Sequence, residues 1–268
     1  MLVIGYFASI IMGISLGLIG GGGSILTVPI LFYLFHQDPL LATTNSLFVV
    51  GITALVGAAI NAKNGNVELK TGVLFAVPSF AGVYVARHFL LPSLPDTLIS
   101  VSGLTLTKPL LIMMFFAVLM VLASRAMIRS GNNLATDLSE ATSLSSPLVT
   151  VGLKGFLVGC TTGFVGAGGG FLIIPALVLL LRAPMRLAIG TSLAIIAANS
   201  LFGFLISSNF GATDWKLLLI ICGLGVIGIF LGHHFSSKVD ERFLKKGFGF
   251  FVLAIGSLIL IDQISRML

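Results

Sequence analysis

The chain has 268 residues, of which 57% are hydrophobic and only 9% are charged. A soluble domain carries about a quarter of its residues as charged side chains, so this chain has too few to cover a water-exposed surface. The composition therefore predicts an integral membrane protein whose solvent is largely lipid. The net charge of +6 comes from basic residues scattered along the chain. No basic patch is formed, which argues against nucleic-acid binding.

Windows of about 20 residues identify the apolar segments that are long enough to cross a bilayer. The first begins at Leu2 without a basic start or a small-residue cleavage site, so we expect a span and not a cleaved signal. Two shorter apolar segments, 24–35 and 170–181, follow glycine-rich stretches. The long segments are 2–19, 41–61, 69–90, 104–124, 148–165, 187–207, 217–235 and 247–264.

The two halves of the chain are related by an internal repeat with an offset of 146 residues. Chance matches between apolar sequences would favour Leu and Val, whereas these matches fall on Gly, Pro, Lys and His. We therefore predict a first transmembrane repeat at 1–129, a polar cytoplasmic linker at 130–147 and a second repeat at 148–268. The matched pairs include Gly20 and Gly166, Gly22 and Gly168, Gly23 and Gly169, Pro29 and Pro175, Lys70 and Lys216, Gly82 and Gly228, and His88 and His234.

The topology depends on whether the two short segments cross the membrane. If 24–35 and 170–181 are re-entrant, the chain has eight spans and its basic residues divide almost evenly between the two sides. If both cross, most basic residues fall on one side of the membrane. Cytoplasmic loops carry an excess of Lys and Arg, so this side is expected to be the cytoplasm. We therefore predict ten spans, with both termini outside. An odd number of spans per half predicts an all-α polytopic fold of two inverted five-helix repeats, each with one short, broken helix.

Both halves contain groups suited to binding an anion inside the membrane. A helix that begins there exposes unpaired N–H groups and the positive end of its dipole. Glycine lets a ligand approach the backbone, and hydroxyl or amide groups add donors. The alternatives are structural: close helix packing for the glycines and interhelical hydrogen bonds for the polar residues. The candidate substrate-binding residues are Gly20, Gly21, Gly22, Gly23, Ser24, Asn45, Ser46, Gly166, Gly168, Gly169, Gly170, Thr191 and Ser192.

Basic side chains near the span ends are candidates for attracting an anion or for proton coupling. The alternative is that they lie at the interface and only set the topology. No Asp or Glu lies in the middle of a span, which disfavours a metal-ion substrate. Neither glycine run has the lysine of a P-loop, and we predict neither a metal site nor a cofactor. The basic candidates are Arg87, His88, Arg182, Arg186, His233 and His234.

A glycine-rich turn followed by an apolar stretch with proline occurs twice, at Gly17–Pro29 and Gly163–Pro175. An Ala-x-x-(Asn/Thr)-Ser element follows each copy, at Ala42–Ser46 and Ala188–Ser192. This double motif is similar to that of the sulfite exporter TauE/SafE family of bacterial and archaeal permeases, and the resemblance covers essentially the whole chain. It implies a multi-pass protein of a prokaryotic plasma membrane that moves sulfite, an organosulfonate or a related sulfur oxyanion.

The expected function is therefore secondary transport of a small anion by alternating access, with export as the expected direction. An anion channel and a carrier of a different small organic anion remain the alternatives. An intramembrane enzyme is disfavoured, because the sequence offers no nucleophile–base motif and no mid-span acid. The expected partners are the anionic solute and the lipid bilayer, and a homo-oligomer is left open.

Overall fold

A computed structural model describes residues 2–101, 104–133, 148–166, 168–170, 173, 177, 185–207, 213–236 and 241–267. This part of the chain is almost wholly helical, as predicted. Its helices are α1 (Leu2–Ile19), α2 (Gly21–Leu34), α3 (Pro39–Lys63), α4 (Leu69–Ser93), α5 (Lys108–Asn133), α6 (Leu148–Val165), α7 (Met185–Leu205), α8 (Trp215–Ser236) and α9 (Glu241–Met267).

A short antiparallel hairpin separates α4 from α5, with strands β1 (Thr97–Val101) and β2 (Leu104–Thr107). The prediction of a span beginning at 104 is therefore wrong at that end, because α5 begins at Lys108. Thr, Ile and Val make up three of the five residues of β1, and Thr alternates with Leu in β2; β-branched side chains favour extended backbone. At its other end α5 runs to Asn133, past the predicted start of the linker at 130. The rest of the predicted linker lies outside the described residues.

Within the described part, six helices are long and apolar enough to cross a membrane. Three further apolar helices are shorter, namely Gly21–Leu34, Val151–Val165 and Gly249–Ser265. These lengths agree with a polytopic membrane protein, while the number of ten spans stays a prediction. The second predicted short segment, 170–181, lies mostly outside the described residues.

The molecule is apolar on its surface and polar in places inside. Large hydrophobic side chains such as Phe7, Leu69 and Leu258 are exposed, as expected of a surface that faces lipid. Polar side chains such as Asn45 and Asn199 are fully buried. Because lipid cannot pair with polar groups, the protein itself must satisfy them, so the buried polar residues mark the interior where a site can form.

Helix α2 is irregular along its whole length. It is a 3-10 helix over Gly21–Leu26, α-helical over Thr27–Pro29 and a π-helix over Ile30–Leu34. Gly20 precedes it with φ of 79°, a conformation that glycine adopts readily. At about 1.5 Å per residue, α2 covers roughly 21 Å of a hydrocarbon core that is roughly 30 Å thick. The first half thus contains the short, broken helix that was predicted for it.

Helices of the two halves pair in a reciprocal pattern. Helix α1 packs along α8, and α6 packs along α4. Helix α3 packs on α7, and α5 packs on α9. In terms of the repeat, the first helix of each half contacts the fourth helix of the other, while the third and fifth contact their own counterparts.

Glycines bring the backbones of these helix pairs into direct contact. Gly82 on α4 lies against the carbonyl oxygen of Phe156 on α6. The counterpart of Gly82, Gly228 on α8, lies against the carbonyl oxygen of Ile10, which is the residue equivalent to Phe156. A Cβ atom at either glycine would collide with main chain, which cannot move aside as a flexible side chain can. Close packing is therefore one role of the glycines in both halves.

The central pair, α3 and α7, crosses in an antiparallel direction. Leu47, near the start of α3, contacts Gly203, near the end of α7. Gly57, further along α3, contacts Leu193, nearer the start of α7. The sequence offset matches α3 with α7, and these two helices lie antiparallel, while the inverted repeat itself stays a prediction.

We predict that Gly82→Ala and Gly228→Ala each destabilise the protein by about 1–3 kcal/mol, because the added methyl group overpacks a main-chain contact. The matched control is Gly223→Ala on α8, where nothing lies within 4 Å of an added Cβ. The control gains up to about 1 kcal/mol of helix propensity. Thermal unfolding of the detergent-solubilised variants measures both effects. Melting of Gly82→Ala at or above the temperature of Gly223→Ala would contradict this packing.

Candidate functional site

The two glycine turns meet in the interior of the protein. The backbone of Gly21, from the first half, lies against the backbone of Gly170, from the second. Every residue from Gly20 to Ser24 is buried, and so are the described glycines of the second turn. The structure thus brings the predicted glycines of both halves together in a closed arrangement.

Each turn is tightly packed on its other sides. Gly23 lies against the backbone of Met12 and Leu16 on α1. Gly168 has φ of 67° and packs on Val50 and Ile196. These contacts show that the turns allow close packing, while their part in binding a solute stays a prediction.

Polar groups lie along the first turn and the helix that follows it. Ser24 Oγ donates to the carbonyl oxygen of Gly21 at 2.7 Å. Thr27 Oγ1 is buried and has no hydrogen-bond partner. A buried hydroxyl without a partner costs about 1–3 kcal/mol, which is the kind of cost that persists at functional sites.

A second group of polar residues joins the start of α3 to the second glycine turn. We call Thr43, Thr44, Ser46, Arg87 and Gly166 the α3 cluster. Ser46 Oγ lies within hydrogen-bonding distance of the carbonyl oxygens of Thr43, at 2.9 Å, and of Gly166. Gly166 itself packs against Thr43. Ser46 of the first half and Gly166 of the second, both candidate binding residues, are therefore in contact.

Arg87 contributes a positive charge to the α3 cluster. It lies in a π-helical part of α4, Val85–Leu90, and is only 7% exposed. Its Nη1 donates to Thr44 Oγ1 at 2.9 Å and its Nη2 to the carbonyl oxygen of Thr43 at 3.2 Å. Its Nε has no partner, and none of the described carboxylates forms an ion pair with it. Among the residues that the structure describes, no carboxylate compensates this cation.

Asn45 and Thr191, which are equivalent in the repeat, tie helices to the connections before α4 and α8. Asn45 donates from Nδ2 to Gln37 Oε1 at 3.0 Å and accepts from Thr213 Oγ1 at 3.0 Å. Thr191 Oγ1 accepts from the backbone N–H of Glu68 at 2.9 Å. These bonds hold the bundle together, as the structural alternative requires. Ser192 does not link two elements in this way, because its Oγ donates to the carbonyl oxygen of Ile189 in the same helix at 2.8 Å.

The predicted histidines lie near the surface. His88 is exposed and stacks on Tyr84 with 5.1 Å between ring centroids. His234 is exposed beside Phe235, and His233 is half-buried with Nε2 3.4 Å from Asn64 Nδ2. Arg182 and the side chain of Arg186 lie outside the described residues. Over the described ranges, no group of three or more His, Cys, Asp or Glu is placed to hold a metal ion.

The structure also shows buried polar residues that the sequence interpretation missed. Asn199 and Ser200 are fully buried in the middle of α7. Asn199 donates from Nδ2 to Ser79 Oγ at 2.6 Å, but its Oδ1 and the hydroxyl of Ser200 have no partner. Ser200 Oγ lies beside Gly168 of the second turn. The available signal was two adjacent polar residues inside the apolar segment 187–207.

We predict that Ser46→Ala destabilises the protein by about 1–3 kcal/mol, because it leaves a buried carbonyl group of the second turn without that hydroxyl donor. The equivalent change, Ser192→Ala, removes a bond within one helix and is expected to cost well under about 1 kcal/mol. Thermal unfolding of the two purified variants compares them directly. Equal melting temperatures would show that the contact between Ser46 and Gly166 does not hold the halves together.

Known proteins similar to this chain match it over most of its length. Residues 5–259 match the family model described as Sulfite exporter TauE/SafE. Two proteins of Xylella fastidiosa, strains 9a5c and Temecula1, are each named "Probable membrane transporter protein". They are 29% and 30% identical over 250 and 251 residues, which is 91% of this chain and 89% of each relative.

A more distant relative is "Probable membrane transporter protein YunE" of Bacillus subtilis, which is 26% identical over 254 residues, or 88% of this chain and 89% of that protein. No solved structure matches the chain significantly. The resemblance of the double glycine motif is thus confirmed by the match to the family model. The chain belongs to the TauE/SafE sulfite exporter family of membrane transporters.

Proposed function

We propose that the protein is a secondary transporter that exports a small anion, such as sulfite, an organosulfonate or a related sulfur oxyanion, by alternating access. The observation that carries this proposal is the contact between Gly21 and Gly170. It joins the start of the broken helix α2 to the second glycine turn, at the interface between the halves. In many secondary carriers the substrate site lies at such a repeat interface.

The repeats of this carrier are inverted, and the chain crosses the membrane ten times. The antiparallel crossing of α3 and α7 supports this arrangement, because equivalent helices of parallel repeats would run in the same direction through the bilayer. The basic residues then place the linker 130–147 in the cytoplasm and both termini outside the plasma membrane of a prokaryote. Movement of one inverted half against the other opens the centre to each side in turn.

An anion is the solute that the interior favours. The turns supply backbone N–H groups, and Ser192 and Ser200 supply buried hydroxyl groups. Two carboxylates of the described part lie at helix starts instead of the centre. Asp38 accepts from Leu40 N at 2.9 Å, and Asp214 accepts from Leu217 N at 3.2 Å. A membrane potential negative inside favours anion exit by about 2.3 kcal/mol per charge per 100 mV, which supports export.

The buried turns represent a closed state of the transport cycle. Gly21 and Gly170 meet through backbone without interlocking side chains, so the two turns can separate without a change of side-chain rotamer at this contact. The solute enters between them when one half moves, and the same contact closes behind it.

We predict saturable flux of sulfite or methanesulfonate into liposomes that contain the purified protein, without flux of potassium. Ser192→Ala is expected to lower the rate about three- to tenfold at an unchanged melting temperature, since a hydrogen bond contributes about 0.5–1.5 kcal/mol. Ser265→Ala, on the exposed side of α9, is the matched control and is expected to transport like the wild type.

Different outcomes of this flux measurement separate the alternatives. Flux that rises linearly with anion concentration would indicate a channel. Saturable flux confined to carboxylates such as acetate would assign a different organic anion. Absence of anion flux from the wild-type protein would refute the proposed function, and normal flux in Ser192→Ala would remove that residue from the site.

A further inference from the structure

Arg87 is a buried cation in a membrane protein, and its charge is not balanced by a nearby carboxylate of the described chain. It is more than nine-tenths buried, and its neighbour Ala86 is fully buried. A charged side chain within a membrane protein is costly, and such residues mark substrate or ion pathways when they are retained. Its two Nη atoms bond only to neutral oxygens of Thr43 and Thr44.

Building on the proposed anion transport, we propose that Arg87 binds the transported solute directly and that the site prefers singly charged oxyanions to doubly charged ones. The planar guanidinium offers five N–H donors in a fork that matches two oxygens of a sulfonate, sulfite or carboxylate group. Two of these donors bond to Thr44 Oγ1 and to the carbonyl oxygen of Thr43, and the buried Nε has no acceptor.

The present partners of Arg87 are ones that an oxyanion can replace. Both threonine hydroxyls already donate to the carbonyl oxygen of Leu40, Thr43 at 2.8 Å and Thr44 at 3.1 Å. Because its proton is used in that bond, Thr44 Oγ1 acts towards Arg87 as an uncharged acceptor. An oxyanion would accept the same N–H donors and add the attraction between opposite charges, so it displaces the threonines favourably.

The contacts around Arg87 connect the bound anion to the second glycine turn. The carbonyl oxygen of Thr43 accepts from Arg87 and lies 2.9 Å from Ser46 Oγ, which also reaches Gly166. Gly163, just before the turn, packs against Val83, one helical turn before Arg87. An anion that takes Arg87 away from Thr43 therefore loosens the start of α3 next to the turn. Binding of the solute and separation of the two glycine turns therefore involve the same contacts of the α3 cluster.

The preference for one negative charge follows from the asymmetry of the two halves. The residue equivalent to Arg87 is His233, which is half-buried and lies beside Asn64. The α3 cluster thus holds one guanidinium, and its other members are neutral. One cation compensates one negative charge, whereas a second charge would remain unpaired in a medium of low dielectric constant.

The test measures binding of radiolabelled methanesulfonate to the purified full-length protein. Arg87→Gln is expected to weaken binding at least about tenfold, because it removes a charged hydrogen-bonding partner. Arg87→Lys keeps the charge without the fork and is expected to bind with intermediate affinity. Arg125→Gln, an exposed arginine of α5, is the matched control and is expected to bind like the wild type.

Thr44→Val distinguishes binding from a purely structural role of Arg87. It keeps the shape of the side chain but removes the acceptor that competes with the anion, so methanesulfonate is expected to bind about threefold more tightly than to the wild type. A structural role predicts instead that Thr44→Val loses binding together with Arg87→Gln. That result would overturn the assignment.

Competition on the wild-type protein tests the charge preference without any variant. Sulfate, with one more charge than methanesulfonate, is expected to compete at least about tenfold less well. Equal competition by sulfate and methanesulfonate would contradict the charge preference, and this result does not depend on whether Arg87→Gln folds.

If Arg87→Gln binds and transports methanesulfonate like the wild type, the role of Arg87 is refuted and anion transport stands. If the wild type neither binds nor transports an anion, both proposals are refuted.

Discussion

Lipid provides no hydrogen-bond partner for the backbone, and the architecture of this protein depends on that constraint. A chain that interrupts its helices inside the membrane must bury each interruption in protein. Glycine makes this achievable here, because it lets main chain touch main chain at Gly21 and Gly170 and along the paired helices. In the mechanism proposed above, the backbone groups of the same residues also bind the solute when this contact opens.

The reciprocal pairing makes the two halves depend on each other. Helix α1 packs mainly on α8, and α6 mainly on α4, so each half completes its interior with the other. The α3 cluster likewise contains residues of both halves, because Ser46 and Arg87 belong to the first half and Gly166 belongs to the second. A relative movement of the halves must break such shared contacts. The sequence repeat matches Arg87 with His233, so the solute site proposed above takes its guanidinium from the first half alone.

Much of this fold follows from the sequence by simple rules. Apolar length identifies the helices, and the sequence offset pairs Gly82 with Gly228, two glycines that each lie against main chain of another helix. The hairpin at 97–107 escaped prediction because an apolar window does not distinguish a strand from the start of a helix. The environment of Arg87 escaped as well, because its burial depends on how a π-helical part of α4 approaches α3. Thr43 and Thr44 precede Asn45, which was a candidate binding residue. Only the packed structure shows that both threonines accept hydrogen bonds from Arg87.

The central claim is that equivalent elements of the two halves face opposite sides of the membrane. Lys70 and Lys216 test it directly, because they are equivalent, exposed and located at the starts of α4 and α8. In protein whose Cys160 and Cys222 are replaced by Ala, each lysine is changed singly to Cys and intact cells are treated with a membrane-impermeant maleimide. We expect Lys216→Cys to be labelled in intact cells and Lys70→Cys only after permeabilisation. Labelling of both positions from the same side would contradict inverted repeats and the mechanism that depends on them.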